Sequence, residues 1–421
     1  MSVPTIYAAS RLINPDVPPV IGGGLLVRDG LIIASGSLDE LRRAHSVPVI
    51  DFPGCSILPG FVNAHTHLEL THFPAWKLRT HVEYNPRHFS DWIIQLIKIK
   101  RGLTADDYPS SLCEGVRMCL ESGTTAVAEI VTFPELAALY RDSPLGGRLY
   151  FEILGQETGH FSSICDAALA ASLTTTDRLS SGLSPHSLYT IAEQHLSVIR
   201  EAASSQHLPL SIHLSESSAE TDLIFDSSGR LAADFYPFVG WERFLTAPRR
   251  CSPTQLLDRH GLLTSATLAV HCVHVSYSDA HILKERGVHV ALCPRSNNCL
   301  DVGRAPVALF KKLDIPLALG TDSLASNDSL SLWDELRFAL DSFPNDLGSE
   351  DVFRMVTSGG AAAIGLSAVC GSLEVGKRAD FQVIGDFSGA VDVSLERILR
   401  EGTVQDVFVG GERYAPPGSI V

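Results

Sequence analysis

Eight short apolar runs, each suited to a strand, recur between residues 58 and 370 and are separated by longer segments with helical periodicity. They are "SILPGFVNAHTHL", "GTTAVAEI", "RLYFEIL", "SSGLSPHS", "LPLSIHLSE", "TLAVHCVHV", "VHVALCP" and "PLALGTD", with amphipathic stretches such as "SDWIIQLIKIKRG" and "EGVRMCLESG" between them. Strands that alternate with helices in this way pair in parallel, because a chain returning in the same direction needs a crossover. Eight strands fit a closed barrel. An open doubly wound sheet is the alternative, but no G-x-G-x-x-G follows the first strand. The expected fold is α/β, a (β/α)8 TIM-like barrel spanning residues 58–370.

The two ends read differently. Residues 1–57 contain "GGGLLVRDGLIIASG", two apolar runs around Asp29-Gly30, a strong hairpin signal. The same texture returns in "GSLEVGKRADFQVIGD" and "DVFVGGERY" near the other end. Residues 1–57 and 371–421 are therefore expected to build one small β-sandwich domain together.

Composition narrows the function. With 45% hydrophobic and 19% charged residues, the 421-residue chain has an ordinary globular make-up and enough length for a sizeable core. A net charge of -15 argues against nucleic-acid binding, which concentrates Lys and Arg. No apolar run is long enough to span a membrane. Nine cysteines without a C-x-x-C pair suggest free thiols, and with no secretory signal a cytoplasmic protein is expected.

Polar groups sit where barrel enzymes do their chemistry, at the C-terminal ends of strands. His65 and His67 close the first run, His213 the fifth, His271 the sixth and Asp322 the eighth. In a strand His65 and His67 point the same way, since side chains alternate with period two. His213 and Asp322 complete three imidazoles and a carboxylate around one divalent ion, with a position left for water. Such an ion lowers the pKa of that water towards neutrality.

The segments "PGFVNAHTHLEL", "HLSE", "HCVH", "CPRSNNCLDVG" and "LGTDSLASNDSLSLWDELR" resemble the amidohydrolase superfamily, in its cytosine/adenosine-type deaminase and triazine-hydrolase branch. The resemblance spans almost the whole chain. It implies a metal-dependent hydrolase with one zinc or iron ion on His65, His67, His213 and Asp322. Glu216, three residues after His213, would shuttle protons, Asp322 would take the proton of water, and His271 would stabilise developing charge. Binuclear relatives carry a bridging modified lysine on the fourth strand; "RLYFEILG", taken as that segment, has none, so one metal is implied. A small-molecule substrate and a homodimer are the family expectations.

The expected reaction is hydrolytic deamination of an amino-substituted aromatic ring. "PHSLYT" resembles the nucleoside-contacting segment of adenosyl-type deaminases and marks His186; Trp92 in "FSDWIIQLI" matches another family position. Deaminases of S-adenosylhomocysteine and methylthioadenosine carry a ribose-gripping Glu about where this chain has Arg101. Glu69 is the candidate replacement, or a partner in a loop salt bridge. The "HTHLEL" form looks more like aminodeoxyfutalosine deaminases, whose substrate carries a benzoate that Arg101 could pair with. Rival substrates are other adenine nucleosides, guanine, cytosine and s-triazines. A catalytically inactive scaffold is the alternative from another class, though every ligand and the shuttle residue are present.

Overall fold

The computed structural model describes residues 3–84, 86, 88–385 and 393–415. Four strands come first: β1 (Thr5–Leu12), β2 (Val20–Arg28), β3 (Leu31–Ser37) and β4 (Val49–Pro59). Asp29 (φ 51°) and Gly30 (φ 78°) turn the β2–β3 hairpin, both left-handed as a type I′ turn requires. Eight strands follow: β5 (Phe61–Thr66), β6 (Thr124–Val131), β7 (Gly146–Ile153), β8 (Leu179–Pro185), β9 (Leu210–Leu214), β10 (Thr267–His271), β11 (His289–Leu292) and β12 (Leu317–Leu319). Finally β13 (Phe381–Gly385), β14 (Thr403–Val409) and β15 (Glu412–Arg413) return to the first group.

The outer strands form one mixed sheet in the order β15-β14-β13-β4-β1-β2-β3. β1 and β14 stand three places apart, about 14 Å on a flat sheet, yet the Tyr7 and Phe408 rings lie 5.0 Å apart. The sheet therefore curls over, and its inner face closes around Tyr7, Phe381 and Phe408 as a sandwich-like core.

β5 to β12 are parallel neighbours in sequence order and make the barrel. Small residues such as Ala64, Ala126, Ala128, Ala291 and Ala318 fill its narrow interior, while Phe, Leu and Ile side chains pack between the strands and the helical layer. One apolar run needs division: "SILPGFVNAHTHL" is two strands. The chain leaves the small sheet at Pro59, passes Gly60 and enters the barrel at Phe61. A Cβ on Gly60 would lie 2.2 Å from the Thr125 hydroxyl oxygen, so glycine is needed where the chain changes sheets.

Closure between β5 and β12 depends on side chains. The only backbone bridge between them among the described residues is Thr66 with Asp322. Asn63 Oδ1 accepts from the Thr321 N–H at 3.1 Å, and its Nδ2 donates to Thr321 Oγ1 at 2.7 Å, in place of ladder bonds. Gly320 lets the strands approach: a Cβ there would meet the Cβ, N and O of His65 at 2.7, 2.8 and 2.9 Å. Gly320→Ala should therefore destabilise the barrel by about 2 kcal/mol or more, read as a thermal midpoint several degrees lower.

All nine cysteines are free. Among the described residues no helix is long and apolar enough to cross a membrane.

Candidate metal and catalytic site

The five strand-end groups do converge. His65 Nε2 and His67 Nε2 each lie 3.7 Å from Asp322 Oδ1, and His67 Nε2 lies 3.4 Å from His213 Nε2. The two histidines of His-x-His meet, their rings 4.9 Å apart, but regular alternation is not what brings them together. Val62 and Ala64 face the barrel interior, so strict alternation would turn His65 outwards. A slip in the β5–β6 register between Asn63 and Thr66 breaks the alternation and re-aims it.

Two of the candidate ligands, His213 and Asp322, are held by their outer atoms. The His213 Nδ1–H donates to the His186 carbonyl at 2.8 Å, which leaves Nε2 free for the site. Asp322 Oδ2 accepts from the hydroxyls of Ser296 and Ser326, both at 2.7 Å, leaving Oδ1 facing the histidines. Neither ring nitrogen of His65 has a partner, although the residue is wholly buried. Orphaned buried nitrogens are costly unless something ligates them. Among the described residues His65, His67 and Asp322 form one group that could hold a divalent ion, and His65, His213 and His271 form another that shares His65, so the residues present fit an ion here. Burial holds His67 and His213 well below the ordinary histidine range, aided by repulsion among neighbouring imidazoles. They are neutral, as ligation requires. Burial alone would raise the Asp322 carboxyl, but the surrounding imidazoles, His65 foremost with its Nε2 3.7 Å away, outweigh it and hold it low.

His271 and Glu216 complete the group. The His271 Nδ1–H donates to Asn297 Oδ1 at 2.9 Å, and its buried Nε2 has no partner and faces Glu216 Oε1 at 3.7 Å. Burial lowers His271 to about 4. It also raises Glu216 well above the carboxylate range, reinforced by the charges of Asp322 and Glu220. The backbone here adopts conformations most side chains avoid: Ser215 (φ 51°), His271 (φ 69°) and Asp322 (φ 59°) are left-handed. Such strain persists where packing enforces it, often at working sites.

A cavity of about 440 Å³ opens beside this cluster, lined by His67, His213, Glu216, His271 and Asp322 on one side. Trp92, Ile93, Phe133, Tyr189, Phe235 and Trp241 supply much of its apolar wall. The helix Phe89–Lys100 and the segment Leu231–Trp241 pack over the mouth in an aromatic cluster separate from the barrel core.

The structure brings His186, Trp92 and Arg101 to this cavity. Burial lowers His186 to about 4. Trp92 donates its indole N–H to the Ala325 carbonyl at 3.0 Å, so it also ties the helix to the loop after Asp322. Arg101 is exposed at the rim, its guanidinium 4.7 Å from the Phe238 ring centroid. Glu69 departs from expectation: it does not line the cavity. It is 1% exposed and accepts from the Thr132 N–H at 3.3 Å, close enough to Glu129 for their charges to oppose. It lies in the short turn Leu68–Leu70 that follows the strand, outside the cavity lining.

The fourth strand also needs correction. "RLYFEI" belongs to the third barrel strand, β7; the fourth, β8 (Leu179–Pro185), reads "LSSGLSP" and likewise carries no lysine. Sequence reading missed Asn297, Ser296 and Ser326, whose roles depend on a loop and a short helix folding beside Asp322 and His271. It also missed Lys100 and Glu152, both in the cavity. Glu152 carried a signal, an acid near the end of an apolar run.

This barrel, with a cluster of side chains that could hold a metal ion at the ends of its strands, is the framework of a hydrolase. The chain belongs to the amidohydrolase family, whose model matches residues 56–414. A protein of Desulforudis audaxviator named 5-methylthioadenosine/S-adenosylhomocysteine deaminase is 32% identical over 384 residues, 87% of this chain and 83% of that one. The aminodeoxyfutalosine deaminase of Deinococcus radiodurans is 30% identical over 360 residues, 82% and 81% of the two chains. A zinc-bound adenosine deaminase structure from Xanthomonas campestris superposes with a TM-score of 0.80 at 26% identity, covering 97% of this chain and 92% of that one.

Proposed function

We propose that the protein is a hydrolytic deaminase of an adenine nucleoside with a bulky acidic tail, aminodeoxyfutalosine being the candidate substrate. The observation that carries this reading is the buried Glu216 carboxyl, 3.7 Å from His271 and beside the ligand cluster, in the wall of an aromatic-lined cavity. Such walls suit a planar ring. An ion on His65, His67, His213 and Asp322, with zinc proposed and iron the alternative, supplies the Lewis acidity that activates water near neutral pH. Asp322 Oδ1 takes the proton of the attacking water. Glu216 gives its proton to the ring nitrogen; its carboxylate then carries the remaining proton of the added hydroxyl to the departing amine as the carbonyl forms, and the proton held by Asp322 returns Glu216 to its acid form through solvent. His271, neutral and held by Asn297, stabilises charge on the attacking oxygen. His186 and Trp92 are assigned to contacts with the nucleoside.

Arg101 is the residue that favours aminodeoxyfutalosine, since its rim guanidinium can pair with a benzoate. A second reading, methylthioadenosine or S-adenosylhomocysteine, is favoured by the aliphatic part of the wall, Ile93, Leu96 and Ile97. The relatives named for both activities are similarly distant, at 30% and 32% identity. Ammonia release by zinc-loaded protein, measured over these three nucleosides, adenosine, guanine and cytosine, tests the proposal. The highest kcat/KM is expected with aminodeoxyfutalosine, and Arg101→Met should raise KM for it but not for adenosine. No ammonia from any adenine nucleoside would overturn the reaction. A homodimer forms part of the proposal and is tested by light scattering.

A further inference from the structure

The cavity has a second polar pole that the chemistry above does not use. Glu152, next to last in β7, shares the inward parity of Tyr150, while Leu149, Phe151 and Ile153 face the helical layer. Its carboxyl lines the cavity and is 8% exposed. Burial raises it to about 7, with Lys100 opposing that rise. Lys100 ends the helix Phe89–Lys100, and its ammonium lies 5.8 Å from the Phe133 ring centroid. From there its charge is felt at Glu152, Glu69, His67 and His186. Lys100 and Glu152 both line the cavity, near enough for the ammonium to act on the carboxyl. An acid and a cation thus share one side of a cavity whose wall is largely apolar, with Thr132 also bonding the Glu152 carboxyl.

That pairing selects a chemistry. A ligand carboxylate would gain from Lys100 but be opposed by Glu152, and an amine would meet the reverse. A neutral alcohol donates to one and accepts from the other, and two adjacent hydroxyls can engage both charges at once. We propose that Glu152 and Lys100 recognise the sugar hydroxyls of the substrate, Glu152 accepting from one hydroxyl and Lys100 donating to its neighbour. The proposal rests on the nucleoside reading above and makes the pair specificity-determining, with no part in proton transfer.

The test compares kcat/KM for adenosine and 3′-deoxyadenosine with zinc-loaded protein. The wild type should prefer adenosine by about tenfold to a hundredfold, the worth of a hydrogen bond to a charged group, chiefly through KM. Glu152→Gln should shrink that ratio towards one. A merely structural role would slow both substrates alike and leave the ratio intact, which would overturn the proposal, as would a wild type without preference. If Glu152→Gln does not fold, Lys100→Met, at a partly exposed helix end, carries the same test. Should both nucleosides bind without being deaminated, the reaction proposed above falls, and the ratio of calorimetric dissociation constants judges the pair by itself. A protein that binds neither nucleoside overturns both.

Discussion

Glu216→Gln enzyme should retain its metal and turn over substrate roughly a hundred to ten thousand times more slowly, the usual worth of a positioned general acid. The carboxyl is 4% exposed and lies 3.7 Å from His271, and burial keeps its proton on near neutral pH. Glutamine has nearly the same shape and keeps a hydrogen-bond donor but cannot release a proton. The loss should fall on kcat and kcat/KM together, because the transfer is made in the transition state. Metal content by elemental analysis should stay at the wild-type value, which separates lost proton transfer from a collapsed site. A variant with near-normal turnover would remove Glu216 from the mechanism.

Asp322→Asn should lose both metal and activity. Asp322 is the single carboxylate among the proposed ligands, facing the Nε2 atoms of His65 and His67 with one oxygen and two serine hydroxyls with the other. The amide removes the negative charge, and an NH2 group turned towards Ser296 or Ser326 loses an acceptor there. Removing a partner of a ligand typically weakens metal binding by about 10–100-fold, so losing the ligand itself should exceed that. The expected readouts are a metal content far below the wild-type stoichiometry after dialysis and turnover at background. Full metal with merely reduced rate would move Asp322 out of the ligand set and leave it only as a base.

The two variants divide the site in a way that mirrors how it was legible. His65, His67, His213, His271 and Asp322 stand out in the chain because each closes an apolar run, and a barrel brings strand ends to one rim. Glu216 came from the resemblance of "HLSE" to the family pattern. Glu69 shows where spacing misleads: two residues beyond His67 the chain has left the strand for a short 3-10 turn, so the carboxyl goes behind the rim, near Glu129 and Thr132. "RLYFEIL" stands third among the apolar runs, as it does in the barrel, so the fourth strand is "LSSGLSP"; what the runs hide is the passage between two sheets at Gly60 inside "SILPGFVNAHTHL".

What the chain determines by itself is periodic or local: the alternation that demands a parallel barrel, the Asp29-Gly30 hairpin, and polar residues at strand ends. Tertiary structure alone decided the rest. The register slip that turns His65 inwards, the Asn63–Thr321 closure, the serines on Asp322 and the approach of Lys100 to Glu152 join residues far apart in the chain. No one-dimensional pattern records such pairs, because the energy that fixes them comes from burial and hydrogen bonding made only once the barrel has closed.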